Sequence, residues 1–463
     1  MAADPNALEA HLTANRERRM EDYTAFLSIP SISALAAHNA DSQRAAEWLA
    51  GALRAAGLEH VSAEQTGGNP IVYGDWLHAG ADAPTVLVYG HYDVQPVDPL
   101  DLWESPPFQP IVKGNRLQAR GASDDKGQVM IHVAALDALL ATRGGAPVNL
   151  KYVVEGEEES SSVHLDGWLQ ANRERLAADL AVISDTGFFE GNRPAITVGL
   201  RGIAAYQLDV RGPGVDLHSG SYGGTVENPI YALAAILAQL KGPDGRVRVP
   251  GFYDDVRTLS ETDRAAFAAL PMDEDAYLAE TGSPMLHGEP DFSTLERKGG
   301  RPTLEINGIW GGFQGDGSKT IIPAHAHAKL TCRLVVDQEP ERTFNKVRDY
   351  ILAIAPPTVR VELTYFGGGL PSLTPIEHPA TRAAARAIEA TFGVEPLYIR
   401  EGGSIPVAAS FEDILGLPVV LLGFTPPDDR AHSPNEYMNL DNYETGIRTV
   451  VRFFDELRDT PLR

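Results

Sequence analysis

Short apolar runs that stop at an acid or a histidine recur along this chain, and they constrain its fold more than any other feature. TVLVYGHYD ends at His91 and Asp93, NLKYVVEGEEES at Glu157, Glu158 and Glu159, and DLAVISD at Asp185. PVVLLGFTPPDDRAHS runs on to His432. These runs are continuous and β-branched or Leu-rich, as expected of strands buried on both faces of a parallel sheet. In open α/β sheets, ligands bind outside the carboxyl ends of the strands. Residues spread from 91 to 432 are therefore expected to converge on one site. A further cluster, Asp124 and Asp125 in GASDDKG, lies at a helix start instead.

Between the runs lie helical patterns: residues 6–27, 42–56, QVMIHVAALDALLAT, ATRAAARAIEATFG, IPVAASFEDILG and YETGIRTVVRFFDELRD. Their alternation with strands predicts an α/β domain whose mixed, mostly parallel sheet is flanked by helices. The middle of the chain differs. RGIAAYQLDVRG, PTLEINGIW and AHAKLTCRLVV alternate apolar and polar residues, the period of half-exposed antiparallel strands. ENPIYALAAILAQL is a helix opened by Asn228 and Pro229. At 463 residues the chain exceeds one ordinary core. We divide it into a first catalytic segment (1–199), an inserted α+β domain with an antiparallel sheet (200–371) and a second catalytic segment (372–463).

A net charge of -24 argues against a nucleic-acid partner and against an anionic membrane surface. The longest apolar run, PIYALAAILAQL, is shorter than the roughly 20 residues a membrane helix needs. MAADPNALEAHL lacks the basic start and apolar stretch of a secretory signal, so a cytoplasmic location is expected. The single cysteine, Cys332, excludes an internal disulfide, and its alternating strand context predicts a small core residue.

Imidazoles and carboxylates without a thiolate suit zinc or a similar divalent ion. His91 and Asp93 share a face on a continued strand, and a carboxylate there can hold the second N–H of a metal-binding imidazole. Two adjacent acids in GASDDKG exceed what a helix cap requires, and one bridging two metals would explain the surplus. Within GEEES, one glutamate can serve as base and another as ligand, but spacing does not say which. His325 and His327 alternate with alanines and read as an exposed strand face rather than a metal pair.

In order along the chain, HYDVQPVDPLDLWESPPF, DDKG, EGEEES, GLRG, DLHSG, GGSIP and AHSPNE resemble the di-metal exopeptidase and amidohydrolase family. That family includes carnosinase-type dipeptidases, carboxypeptidase G, aminoacylase and succinyl-diaminopimelate desuccinylase, and the carnosinase-type branch is the most similar. The resemblance implies two divalent metals per subunit, zinc by preference, with manganese or cobalt as alternatives. His91 and Asp185 would bind one, Glu159 and His432 the other, and Asp124 both. It further implies Glu158 as general base and Asp93 as the group that orients His91, and it leaves Glu157 without a role. The inserted domain would be a lid that forms a homodimer, with His218 acting in the partner's site on the oxyanion. Arg333 would hold the substrate's carboxylate, assisted by Ser404, Gly403 and Thr320. The expected activity is hydrolysis of dipeptides or short peptides with a free carboxylate, by a metal-bridging water that Glu158 activates. A deacylase of N-acyl amino acids and an inactive peptide-binding scaffold are the alternatives.

Overall fold

The computed structural model describes residues 5–403 and 405–462. The chain forms two compact units. One comprises Met1–Val198, Thr374–Ile399 and Ser410–Arg463, the other Gly199–Leu373 and Arg400–Ala409.

In the first unit the sheet runs, from one edge, through strands Glu59–Glu64, Ile71–Trp76, Asn149–Glu155, Thr85–His91, Leu180–Ile183, Val419–Leu421 and Ala195–Leu200. The four strands beginning at Asn149, Thr85, Leu180 and Val419 are mutually parallel, whereas the pairings on either side of them are antiparallel. The expected mixed α/β sheet is therefore parallel at its centre. Every residue of Asn149–Glu155 and Leu180–Ile183 is buried, which accounts for their uninterrupted apolar character. Because these strands share a direction, His91, the residues after Glu155 and those after Ile183 all emerge at one edge.

Helices cover the sheet. In Leu440–Arg458 the buried positions Tyr443, Ile447, Val450, Phe454 and Leu457 recur at helical spacing, and they join Ile131, Ala135 and Leu139 of Lys126–Arg143 in one core. The expected helix over 6–27 is broken into Pro5–Ala14 and Arg16–Leu27. Asn15 between them turns its side-chain amide onto the His11 carbonyl (2.9 Å), the local competition that disfavours Asn within helices. The expected helix at 405–416 is a short α-helical stretch, Pro406–Ser410, followed by a wider π turn, Phe411–Leu415. A small sheet of Ile111–Lys113, Arg116–Gln118 and Tyr437–Asn439 was not anticipated, because three-residue strands carry no readable period. Among the described residues, no helix is long and apolar enough to cross a membrane.

The second unit carries a four-stranded antiparallel sheet ordered Thr303–Gly311, His325–Leu334, Gly202–Arg211, Arg360–Gly369. One face buries Tyr206, Leu208, Ala328, Leu330 and Cys332 beneath helices Pro229–Leu240 and Pro340–Ile354. The Asn228 side chain accepts from the Ile230 N–H (2.9 Å) and Pro229 opens the helix, as its sequence predicts. Burial pushes the Cys332 thiol up to about 12, so it behaves as a core residue. The opposite face presents His325, His327, Lys329, Thr331 and Arg333. His327 contacts the Asp209 carboxylate and stacks on Trp310 with ring centroids 5.0 Å apart, while His325 is exposed.

Candidate metal centre

His91 ends its strand with no exposed surface. Its predecessor must be glycine: a Cβ on Gly90 would lie 2.6 Å from a Val129 methyl carbon and 2.8 Å from an Asp125 carboxylate oxygen. The Nε2 of His91 lies 3.0 Å from Asp124 Oδ1 and 4.0 Å from Asp185 Oδ1. Its Nδ1 faces Asp93, 3.1 Å from the carbonyl and 3.4 Å from Oδ1. A proton held there by Asp93 would leave Nε2, which faces Asp124 and Asp185, as the nitrogen available to a metal ion. Asp93 has a second task. Its two carboxylate oxygens accept the backbone N–H groups of Glu158 (3.2 Å) and Glu159 (3.0 Å), so one buried acid holds both the His91 ring and the glutamate turn.

His432 completes a second group. Its Nε2 is 2.8 Å from Asp124 Oδ2 and 3.3 Å from Glu159 Oε2. It adopts φ +60°, a strained backbone for a non-glycine residue and of the kind that clusters at functional sites. Two sets thus have donor atoms within 4.8 Å of one another: His91, Asp124 and Asp185, and Asp124, Glu159 and His432. Asp124 belongs to both, one oxygen directed to each.

The electrostatics fit cations. Burial, followed by the charge of Asp124, pushes the Asp185 carboxyl well above the usual range, with His91 opposing. Burial would depress His91, but hydrogen bonds to Asp124 and Asp93 hold it well above an ordinary histidine. Lys126, the neighbouring ammonium, is turned away and donates to the carbonyls of Ile29 (2.6 Å) and Phe26 (3.2 Å). Buried carboxylates and imidazoles crowded in this way suit divalent ions with N/O ligands.

Glu158 sits in the same crowd. Burial raises its carboxyl to about 7, His91 opposes, and the charges of Glu159 and Asp124 add to the rise. Glu157, whose role the motif left open, faces elsewhere: it pairs with His164 Nδ1 (2.7 Å) and accepts the Asn69 N–H (3.2 Å).

Two supporting residues escaped the sequence reading. Glu436 accepts from Arg120 (2.8 Å), the N–H groups of Gly121, Ser123 and Asp124, and the Ser123 hydroxyl, and so fixes the turn that carries Asp124. Gln95 donates to Glu159 Oε2 (2.7 Å). Both lie inside the motifs AHSPNE and HYDVQP, but nothing in their spacing marks a role.

The remaining candidates lie in the second unit. His218, exposed, accepts the Gly220 N–H on Nδ1 (3.0 Å), so the neutral ring carries its proton on Nε2. Thr320 is exposed beside it, its carbonyl accepting from Ser219 (3.0 Å). Arg333 is half-buried near the end of its strand, opposite Ile203 and Thr303, and Gly403 is exposed. Ser404 lies outside the described residues.

Residues 87–456 match the model of peptidase family M20/M25/M40. The chain belongs to this peptidase family. It is 35% identical over 395 residues to the Cys-Gly metallodipeptidase dug1 of Schizosaccharomyces pombe, covering 84% of this chain and 83% of the relative. It is 33% identical to human Beta-Ala-His dipeptidase, over 81% of this chain and 75% of that protein. Among solved structures, the Saccharomyces cerevisiae di-peptidase Dug1p superposes with TM-score 0.78 at 28% identity, covering 100% of both chains. The metallo-carboxypeptidase Sso-CP2 of Sulfolobus solfataricus gives 0.82 at 32%, covering 95% of this chain and 99% of that one. This family member is a metallopeptidase of the carnosinase-type branch.

Proposed function

We propose that the chain hydrolyses the peptide bond of dipeptides or similarly short peptides bearing a free carboxylate, with Glu158 as general base. One observation carries this reading: Asp124 is shared by two donor sets, beside a glutamate whose carboxyl is raised to about 7. A base is most effective with its pKa near the working pH. The relatives named as dipeptidases point to the same substrate class.

His91, Asp124 and Asp185 would hold one divalent ion and Asp124, Glu159 and His432 another, zinc by preference, with manganese or cobalt as alternatives. When bound, such ions supply Lewis acidity, which acidifies water and polarises the scissile carbonyl. Glu158 takes the proton from the attacking water and returns it to the leaving amine. Asp93 keeps His91 oriented and the Glu158 turn in place. His218, a donor through Nε2, stabilises the oxyanion in a partner subunit's site, a contribution of about 3 kcal/mol. Arg333, with Gly403, Ser404 and Thr320, holds the terminal carboxylate.

A homodimer through the inserted unit is supported by its uncovered apolar side chains: Ile230 and Tyr231 on helix Pro229–Leu240, and Ile306 and Ile309 on the edge strand Thr303–Gly311. A cytoplasmic location accords with the lone buried cysteine.

Glu158→Ala should retain both metals by elemental analysis yet lose at least 10³-fold in Cys-Gly turnover, in line with removal of a general base. Activity within tenfold of the parent would rule the assignment out. Running N-acetyl amino acids beside the dipeptides separates a deacylase from a dipeptidase.

A further inference from the structure

GLRG is a motif to which the proposed chemistry gives no task. Its Arg201 stands where strand Ala195–Leu200 gives way to strand Gly202–Arg211. Arg201 does not hang free at this junction. Its backbone N–H donates to Glu401 O (3.2 Å), its Nε to Gly402 O (3.3 Å) and its Nη1 to Arg301 O (3.4 Å). The guanidinium lies so close over the turn that a Cβ on Gly402 would be 2.7 Å from Nη2. The adjoining residue is fastened too. The Arg400 side chain pairs with Asp263, and the Arg400 carbonyl packs where a Cβ on Gly299 would lie 2.4 Å away. Arg301, whose carbonyl receives Arg201, is itself fixed by Glu289 (2.5 Å) and stacks over Phe292 (4.3 Å).

These contacts explain why Arg400–Ala409, far along the chain, groups with the inserted unit and not with the segments on either side of it. They also bring two motifs together. Ile203, two residues on from Arg201, pairs with Arg333 across the sheet, and Arg333 is close enough for its charge to help burial lower the Arg201 guanidinium to about 10.

We propose that Arg201 is a positioning residue: it fastens the Glu401–Gly402–Gly403 turn to the inserted unit, so that the turn and Arg333 form one preformed receptor for the substrate's terminal carboxylate. This rests on the dipeptidase reading above. Arg201 does not touch the substrate; it sets where the glycine N–H groups stand relative to Arg333. A planar fork suits the task, because Nε and Nη1 reach two separate carbonyls in a fixed geometry, whereas lysine offers a single nitrogen on a flexible stem.

The test is steady-state kinetics of the metal-loaded protein on Cys-Gly and on its C-terminal amide. Arg201→Gln should raise KM for Cys-Gly about tenfold or more, the scale of effect a misplaced binding group produces, with kcat within threefold and the amide's kcat/KM unchanged. Arg201→Lys should rescue little. Gly402→Ala, which pushes the turn off the guanidinium, should raise KM likewise and add nothing further in the Arg201→Gln background. An unchanged KM in both single variants, or equal losses on Cys-Gly and the amide, would overturn the proposal. Arg333→Ala distinguishes the two levels. If it leaves the preference for the free carboxylate intact, the carboxylate-binding reading itself is wrong; if it removes that preference while Arg201→Gln and Gly402→Ala do not, only the role of Arg201 falls.

Discussion

Glu436 has no exposed surface and works only through what it holds. Its carboxylate accepts five donors, including the N–H of Asp124, the residue shared by both donor sets. An ionised carboxylate only accepts, whereas an amide must point one NH₂ at a donor. Glu436→Gln would therefore set like against like and leave Arg120, equally buried, without its counter-charge. Breaking such a pair costs about 3 kcal/mol, and loss of a group that orients metal ligands typically weakens affinity 10–100-fold. We expect both in Glu436→Gln, by denaturant melts and by zinc titration; unchanged metal affinity would make Glu436 a purely structural anchor. Residue type and strand-end position made His91, Asp185 and the glutamate run visible in the sequence. Glu436 was not, because a carboxylate that binds backbone N–H groups leaves no spacing pattern. Glu157 shows the reverse: adjacent to Glu158 in sequence, it faces His164 and Asn69.

At the scale of elements, strand Asn149–Glu155 delivers the glutamate turn, and its last residue contributes a titration of its own. Glu155 is buried, and its carboxylate accepts from the hydroxyls of Tyr89 (2.7 Å) and Ser162 (2.9 Å). Burial nevertheless prevails and raises its carboxyl from 4.5 to about 8. The fold thus favours the protonated acid. Its contribution is complete below about pH 4.5 and is lost as pH rises through 8, on the order of 5 kcal/mol. Glu155→Gln, which mimics the protonated form, should flatten that decline between about pH 5 and pH 8 in urea melts. Equal losses in parent and variant would show that Glu155 is ionised throughout. The strand itself was legible from its continuous apolar run. The break at Asn15 and the π turn at Phe411–Leu415 were not, since both preserve a helix-like apolar spacing while a side chain or a widened turn alters the backbone.

For the whole molecule, the proposed reaction requires His218 of the inserted unit to serve a second subunit. Neither His218→Ala nor Glu158→Ala alone should turn over dipeptide at an appreciable rate. Mixed after subunit exchange, they should recover up to about a quarter of parental activity, because a heterodimer holds one site with both groups intact and the oxyanion contribution of about 3 kcal/mol is restored there. No recovery despite exchange shown by tagged subunits would place His218 in its own subunit's site. The sequence by itself determined the α/β and antiparallel character of the two regions, the family, and the strand-end acids and histidines, since burial pattern and residue type are local properties. Tertiary structure alone decided that Asp93 also holds the glutamate turn, that Glu436 fixes the turn carrying Asp124, and that residues 400–409 group with the inserted unit. These depend on distances between residues tens to hundreds of positions apart, which no period or composition encodes. The apolar runs that stop at acids therefore marked where these groups gather, and the folded chain decided which of them stand together and which, like Glu157, face away.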